Sequence, residues 1–110
     1  MRVVSSFWVG AYVRRVNATG AFAAIARRGA AEAGAIFVKV ARLDGTADLY
    51  APAPQSVFDE GRAYDRRFER VLEAAEDAAV EARLKREIGF DPDVWIVEVE
   101  DRQGRSFLEA

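Results

Sequence analysis

Between Ala35 and Tyr50 apolar and polar positions alternate on either side of an Asp44-Gly45 pair, a strong short-range signal for two strands joined at a tight turn. A two-residue turn there sets Lys39 opposite Tyr50 and Val40 opposite Leu49. Val38, Val40, Leu49 and Ala51 then share one face, which reads as core. Phe37, Lys39, Ala41, Asp48 and Tyr50 share the other, which is mixed. Ala51-Pro52-Ala53-Pro54 ends the second strand, because proline donates no ladder hydrogen bond.

Outside this hairpin the periods change. Val9, Tyr12, Val13 and Val16 recur at helical spacing from Ser5 or Ser6 to Asn17, with a serine as N-cap and Gly20 as the stop. A strand through Phe7-Trp8-Val9 is the rival reading. Ala21 to Arg27 reads as a strand, and the Gly29 to Gly34 loop makes a second hairpin with the strand after it. A polar connection runs through Gly61, and Tyr64 to Leu72 alternates as a half-exposed strand. Ala74 to Ile88 carries Val80, Leu84 and Ile88 every four residues, a helix in which Glu81 and Lys85 form an i,i+4 pair. Gly89 ends it and Phe90 packs back on Leu84. Asp93 to Glu100 is apolar on both faces of its first half, which predicts a central strand. Arg105 to Leu108 reads as a short returning edge strand. The fold class is therefore α+β: a mainly antiparallel sheet of five to six strands with two helices packed on one face, as a single domain over residues 1–110.

Composition narrows the chemistry more than the fold. A chain of 110 residues that is 51% hydrophobic and 31% charged can bury a core without a staple. It has no cysteine and no histidine. Thiolate nucleophiles, cysteine-ligated metals, disulfides and imidazole-dependent catalysis are all excluded. Residues 1–50 carry seven Arg/Lys against three Asp/Glu, and residues 51–110 nine against fifteen, so the halves hold about +4 and −6. The start of the chain lacks the continuous apolar core of a secretory signal, and no apolar run approaches a membrane span, so a cytoplasmic protein that does not enter membranes is expected.

Two constellations could carry function. Phe37, Lys39, Arg42 and Tyr50 on the mixed hairpin face form a candidate binding surface, a cation beside aromatics on an open sheet. The plainer reading of Lys39 and Tyr50 is an ordinary cross-strand pair. Asp91, Asp93, Glu98, Glu100 and Asp101 form an acidic group that could hold a divalent cation or pair as acid and base, although no calcium-loop spacing is present and strand-end carboxylates are ordinarily solvated. Trp8 and Trp95 read as core or interface anchors, and Gly29 and Gly34 as turn glycines rather than a phosphate loop.

The order of segments is itself distinctive. Phe7-Trp8-Val9 leads to Arg14-Arg15, then Ala21-Phe22-Ala23-Ala24, Arg27-Arg28-Gly29, Gly34 to Val40, Leu43-Asp44-Gly45-Thr46, Leu49 to Pro54, and Phe90-Asp91-Pro92-Asp93-Val94-Trp95-Ile96-Val97-Glu98. Over almost the whole chain this resembles DUF1491, a family of small bacterial proteins known only as a domain of unknown function. The resemblance implies a stand-alone bacterial domain and brings no activity, cofactor or site residue with it. On the residues alone, the expectation is a non-enzymatic binding or protein-interaction module without cofactor, metal or catalytic residues, partnering itself as a homodimer or another protein. The alternatives are a nucleic-acid-binding domain using Arg14, Arg15, Arg27, Arg28, Lys39 and Arg42, and a carboxylate–metal enzyme using Asp91, Asp93, Glu98 and Glu100.

Overall fold

A computed structural model describes residues 3–54 and 66–108. The elements are α1 (Ser5–Ala18), β1 (Phe22–Arg27), β2 (Ile36–Ala41), β3 (Thr46–Pro52), β4 (Phe68–Glu76), α2 (Asp77–Phe90) and β5 (Trp95–Glu100). The five strands form one sheet in the order β1-β5-β2-β3-β4, with every neighbour antiparallel except the β5–β2 pair. The chain is thus an α+β protein, as its periodicities predict. The polar connection through Gly61 and the Tyr64 start of the expected strand lie outside the described residues.

Helix α1 forms where the 3.6-residue apolar stripe does, and Val9, Tyr12 and Val16 are its buried face. The expected serine N-cap is replaced by another device. Val4 is the N-cap residue and makes no side-chain cap bond. The Ser5 and Ser6 backbone N–H groups donate instead to the Glu32 and Ala31 carbonyls, while the buried Ser5 hydroxyl donates to the Gly34 carbonyl at 2.6 Å. The Gly29 to Gly34 loop therefore closes the helix start and is no hairpin turn, because β5 lies between β1 and β2. Its glycines are packing glycines: a Cβ on Gly29 or Gly34 would lie 2.1 or 2.3 Å from the Asp93 carbonyl oxygen. That close approach lets the Trp95 indole donate to the Ala30 carbonyl at 2.7 Å.

The hairpin register differs by one residue from the expected one. Lys39 pairs with Leu49, and Val38 with Tyr50. Arg42 N–H donates to the Thr46 carbonyl at 3.0 Å, so the loop holds three residues, Leu43, Asp44 and Gly45. Leu43 and Gly45 both take positive φ, 64° and 90°, and the Asp44 carboxylate accepts from the Thr46 backbone and hydroxyl. A one-residue slip moves every side chain of β3 to the other face. Leu49 and Ala51 accordingly pack with Phe37, and Tyr50 leans on the Val38–Val40 side.

The helices lie on opposite faces of the sheet, which corrects the expectation of one shared face. Under α1 are Ile36, Val38, Val40, Trp95, Val97 and Val99; under α2 are Phe37, Leu49, Ala51, Val94 and Ile96. Strand β2 is buried on both sides, so both cores grow from it and its parallel neighbour β5. Residues 105–108 form no strand. They run across the α1 face, where Phe107 and Leu108 join the core, the Tyr12 hydroxyl donates to the Ser106 carbonyl, and Arg15 donates to the Phe107 carbonyl at 2.6 Å.

Ala74-Ala75-Glu76, helix-favouring on propensity, belong to β4. The fully buried Asp48 carboxylate accepts the Ala74 N–H at 2.6 Å and the Arg42 guanidinium at 2.8 Å. It pins a bulged strand in which Ala74 sits at φ 46°. The helix therefore starts at Asp77. Phe90 ends it 85% exposed, off Leu84, and Glu81 turns to Lys39 while Arg83 and Glu87 make the i,i+4 pair.

Candidate functional site

The four residues of the expected binding face do not form a common open surface. Phe37 and Lys39 are 5% and 4% exposed, under α2. Tyr50 is half-buried on the other side of the sheet, beside the α1 core. Arg42 spends its guanidinium on Asp48, and that group also lies where a Cβ on Gly104 would fall. The one-residue register shift separates Lys39 from Tyr50, and the helix on the second face covers Phe37.

Lys39 acquires a different setting. From the middle of β2 its ammonium meets Asp77 and Glu81 of α2, each at 2.6 Å, with Glu98 of β5 at 4.0 Å. Burial alone would push an ammonium toward neutrality, but the hydrogen bonds to Asp77 and Glu81, aided by Glu98, outweigh it and hold its pKa above the ordinary lysine value. Lys39 is thus a fixed cation, neither a nucleophile nor a free phosphate ligand.

Beside this cluster the sheet is open. Helix α2 packs on β3 and β4, and α1 covers the β1–β5 half of the opposite face with the C-terminal segment beside it. Among the described residues, the β1–β5 half of the α2 face has no such cover. A half-open groove of about 680 Å³ runs there, between α2 and the two strands. Its apolar lining comes from Ala26, Ala78, Ala82, Leu84, Ile88 and Ile96. Its charged lining is divided: Glu81 and Glu98, which flank Lys39, and Arg27 and Lys85. Arg27 turns its guanidinium onto the Pro92 and Val94 carbonyls at 2.9 and 2.8 Å, a contact that fixes it at the end of β1.

The remaining basic candidates are dispersed. Arg15 lies over the Tyr12 ring and Arg28 over Trp95, while Arg14 is exposed on α1. The acidic candidates do not converge either. Asp91 accepts the Asp93 N–H within its own turn, Asp101 grips Arg105, and Glu98 faces Lys39. Among the described residues no three carboxylates are arranged to hold a metal ion. Of the groove residues, Glu98 and Arg27 stood among the sequence candidates, in separate groups; Ala78 and Ala82 did not. The available signal was the pair of exposed alanines one turn apart on the outer side of an otherwise charged helix.

Residues 3–109 match the profile of the family described as "Protein of unknown function (DUF1491)". The chain belongs to that family. It is 48% identical to a protein from A. tumefaciens solved in solution, with a TM-score of 0.79 over 91% of this chain and 86% of the other. The crystal structure of a DUF1491 protein from Caulobacter crescentus CB15 is 38% identical with a TM-score of 0.80, and an NMR structure from the same organism 39% identical with 0.78. Each of these covers 98% of this chain and 94% of its own. No curated protein matches the chain.

Proposed function

We propose that this DUF1491 protein is a small non-enzymatic binding module of the bacterial cytoplasm, and that its partner seats in the groove between α2 and the β1–β5 pair. The observation that carries this is the sheet quadrant that has no covering element among the described residues, floored by Ile96 and Ala26 and rimmed by charges of both signs. Apolar lining with a few placed charges is the usual make-up of a recognition groove. Catalysis has less support, since Lys39 is held charged and the carboxylates of the C-terminal third point to separate partners. Nucleic-acid binding has less as well, because Arg15, Arg27, Arg28, Lys39 and Arg42 are spread over both faces and already engaged. A bacterial setting is supported by the relatives from A. tumefaciens and Caulobacter crescentus, and among the described residues no helix is long and apolar enough to cross a membrane.

The test is an NMR titration of isotopically labelled protein with the amphipathic probe anilinonaphthalene sulfonate. Its rings suit the apolar floor and its sulfonate suits Lys85. Amide shifts should cluster at Ala26, Ala82, Lys85 and Ile96, and Ala82→Trp should weaken them about tenfold by filling the groove. Shifts elsewhere, or shifts indifferent to Ala82→Trp, would refute the groove as the binding surface.

A further inference from the structure

Five strands at 4.7–4.9 Å spacing make a sheet about 19 Å wide, and packed helices lie about 8–10 Å apart, so each face has room for two helices side by side. On the α1 face both places are taken, by α1 and by the C-terminal segment. On the opposite face α2 takes one. The other, over β1 and β5, is the groove, and among the described residues it is about one helix wide.

We infer that this place is filled by α2 of a second copy, in a two-fold dimer whose two α2 helices lie antiparallel between the two sheets. The inference rests on the groove being the binding surface, and it names the occupant. Charge is the first reason. The groove is bipolar along its length: Glu81 and Glu98, which with Asp77 outnumber the Lys39 they surround, stand toward the start of α2, and Lys85 and Arg27, the latter held on the Pro92 and Val94 carbonyls, toward its end. Arg27 pairs with Ile96, two residues before Glu98, so the two ends are separated by about 7 Å along β5. A two-fold axis reverses direction and sets the carboxylates of each copy against the cations of the other, whereas a parallel arrangement would oppose like charges.

Shape is the second. The outward side of α2 carries the exposed small residues Ala78, Ala82 and Gly89 between its charges. An antiparallel pair centred between Ala82 and Lys85 brings Ala78 opposite Gly89 of the second copy and sets Glu81 opposite Arg86, one residue from Lys85. Close approach and ion pairing then fall in the same register. Phe22, 52% exposed, shares the face of Glu98 and Glu100 through its pairing with Glu100 and extends the apolar floor that would be covered. Edge-to-edge pairing, the other route to a dimer, is disfavoured because both edge strands are bulged, β1 between Ile25 and Arg27 and β4 opposite Ala47 to Tyr50.

Sedimentation velocity from micromolar to millimolar protein tests this on the full chain. A reversible dimer is expected, weakened about tenfold or more by Ala82→Trp, by bulk, and by Lys85→Glu, by charge. Both positions are exposed on α2, and unchanged circular dichroism and melting show that the fold persists. Because the chain has no cysteine, Ala82→Cys gives a clean second readout: mild oxidation should cross-link it, and a Thr19→Cys control should stay monomeric. A monomer at every concentration, or a dimer that neither variant weakens, overturns the inference. If that monomer still binds the amphipathic probe in the groove, the binding surface stands with another occupant; if it does not, both fall.

Discussion

Asp48 shows how much one residue can decide. Its carboxylate is fully buried, yet it accepts the Ala74 N–H and the Arg42 guanidinium, and so it fixes both the loop-proximal end of the hairpin and the bulge in β4. Asp48→Ala leaves a buried backbone donor and a half-buried guanidinium without an acceptor, at a cost of about 3 kcal/mol, a fall in melting temperature of roughly 10 °C or more. Asp48→Asn keeps an acceptor for Ala74 and should cost about half as much. Urea denaturation of the two variants checks the order; an alanine variant as stable as the parent would remove Asp48 from this role.

Lys39 gives the residue scale its pH dependence. Its folded pKa lies above the unfolded value of 10.5, so the stability it contributes is full below that value and is lost as pH rises through the folded one. Burial also raises the Tyr12 hydroxyl above its ordinary 10.0, which adds alkaline destabilisation of the same sign. Comparison with Lys39→Met separates the two. The stability gap between parent and variant should narrow between neutral pH and about pH 11, while the Tyr12 contribution remains in both proteins. A constant gap would mean that Lys39 stabilises by packing alone.

At the scale of elements, the C-terminal segment behaves as a strap held by Asp101. Its side chain accepts the Arg105 N–H at 2.7 Å and the Arg105 guanidinium, and these bonds, the side-chain one above all, hold its pKa below the ordinary 3.8. That contribution is present above the unfolded value and disappears as pH falls through the folded one. The protection factors of the Arg105 and Leu108 amides should therefore fall in acid before the sheet loosens, and Asp101→Asn should lower them already at neutral pH. The elements themselves were largely legible: the apolar stripe of α1, the alternation of β2 and β3, and the two-sided apolar run of β5 each have the period of the structure they form. What escaped was set by contacts between distant parts of the chain. No local signal announces that Leu43 will take φ 64°, and without it Asp44-Gly45 reads as a two-residue turn and every residue of β3 changes face. Ala74 to Glu76 is strand because β3 and Asp48 capture its backbone against its own propensity. The groove joins Ala78 and Ala82 to Ile96 and Ala26 across three elements, so no single segment could show it.

For the molecule as a whole, the decisive fact is that the last strand is central. Strand β5 lies between β1 and β2, and both hydrophobic cores include its side chains: Trp95, Val97 and Val99 on one face, Ile96 on the other. Without β5, the β1 strand loses the one partner it has among the described residues and α1 loses Trp95, Val97 and Val99 from its floor, while the β2–β3–β4 meander under α2 keeps its ladder but leaves one side of β2 bare. Long-range pairing of this kind ties the folding of β1 and β2 to the arrival of β5. Native-state hydrogen exchange should then find the slowest amides in β2 and β5, opening only with global unfolding, and faster exchange in the edge strands β1 and β4. A chain ending at Asp93 should lose the fold of α1 and β1 altogether, with a collapsed β2–β3–β4–α2 remnant at most. If that truncated chain kept native protection in α1, the two faces of the sheet would have to be independent units, and β5 would not be what holds α1 and β1 in place.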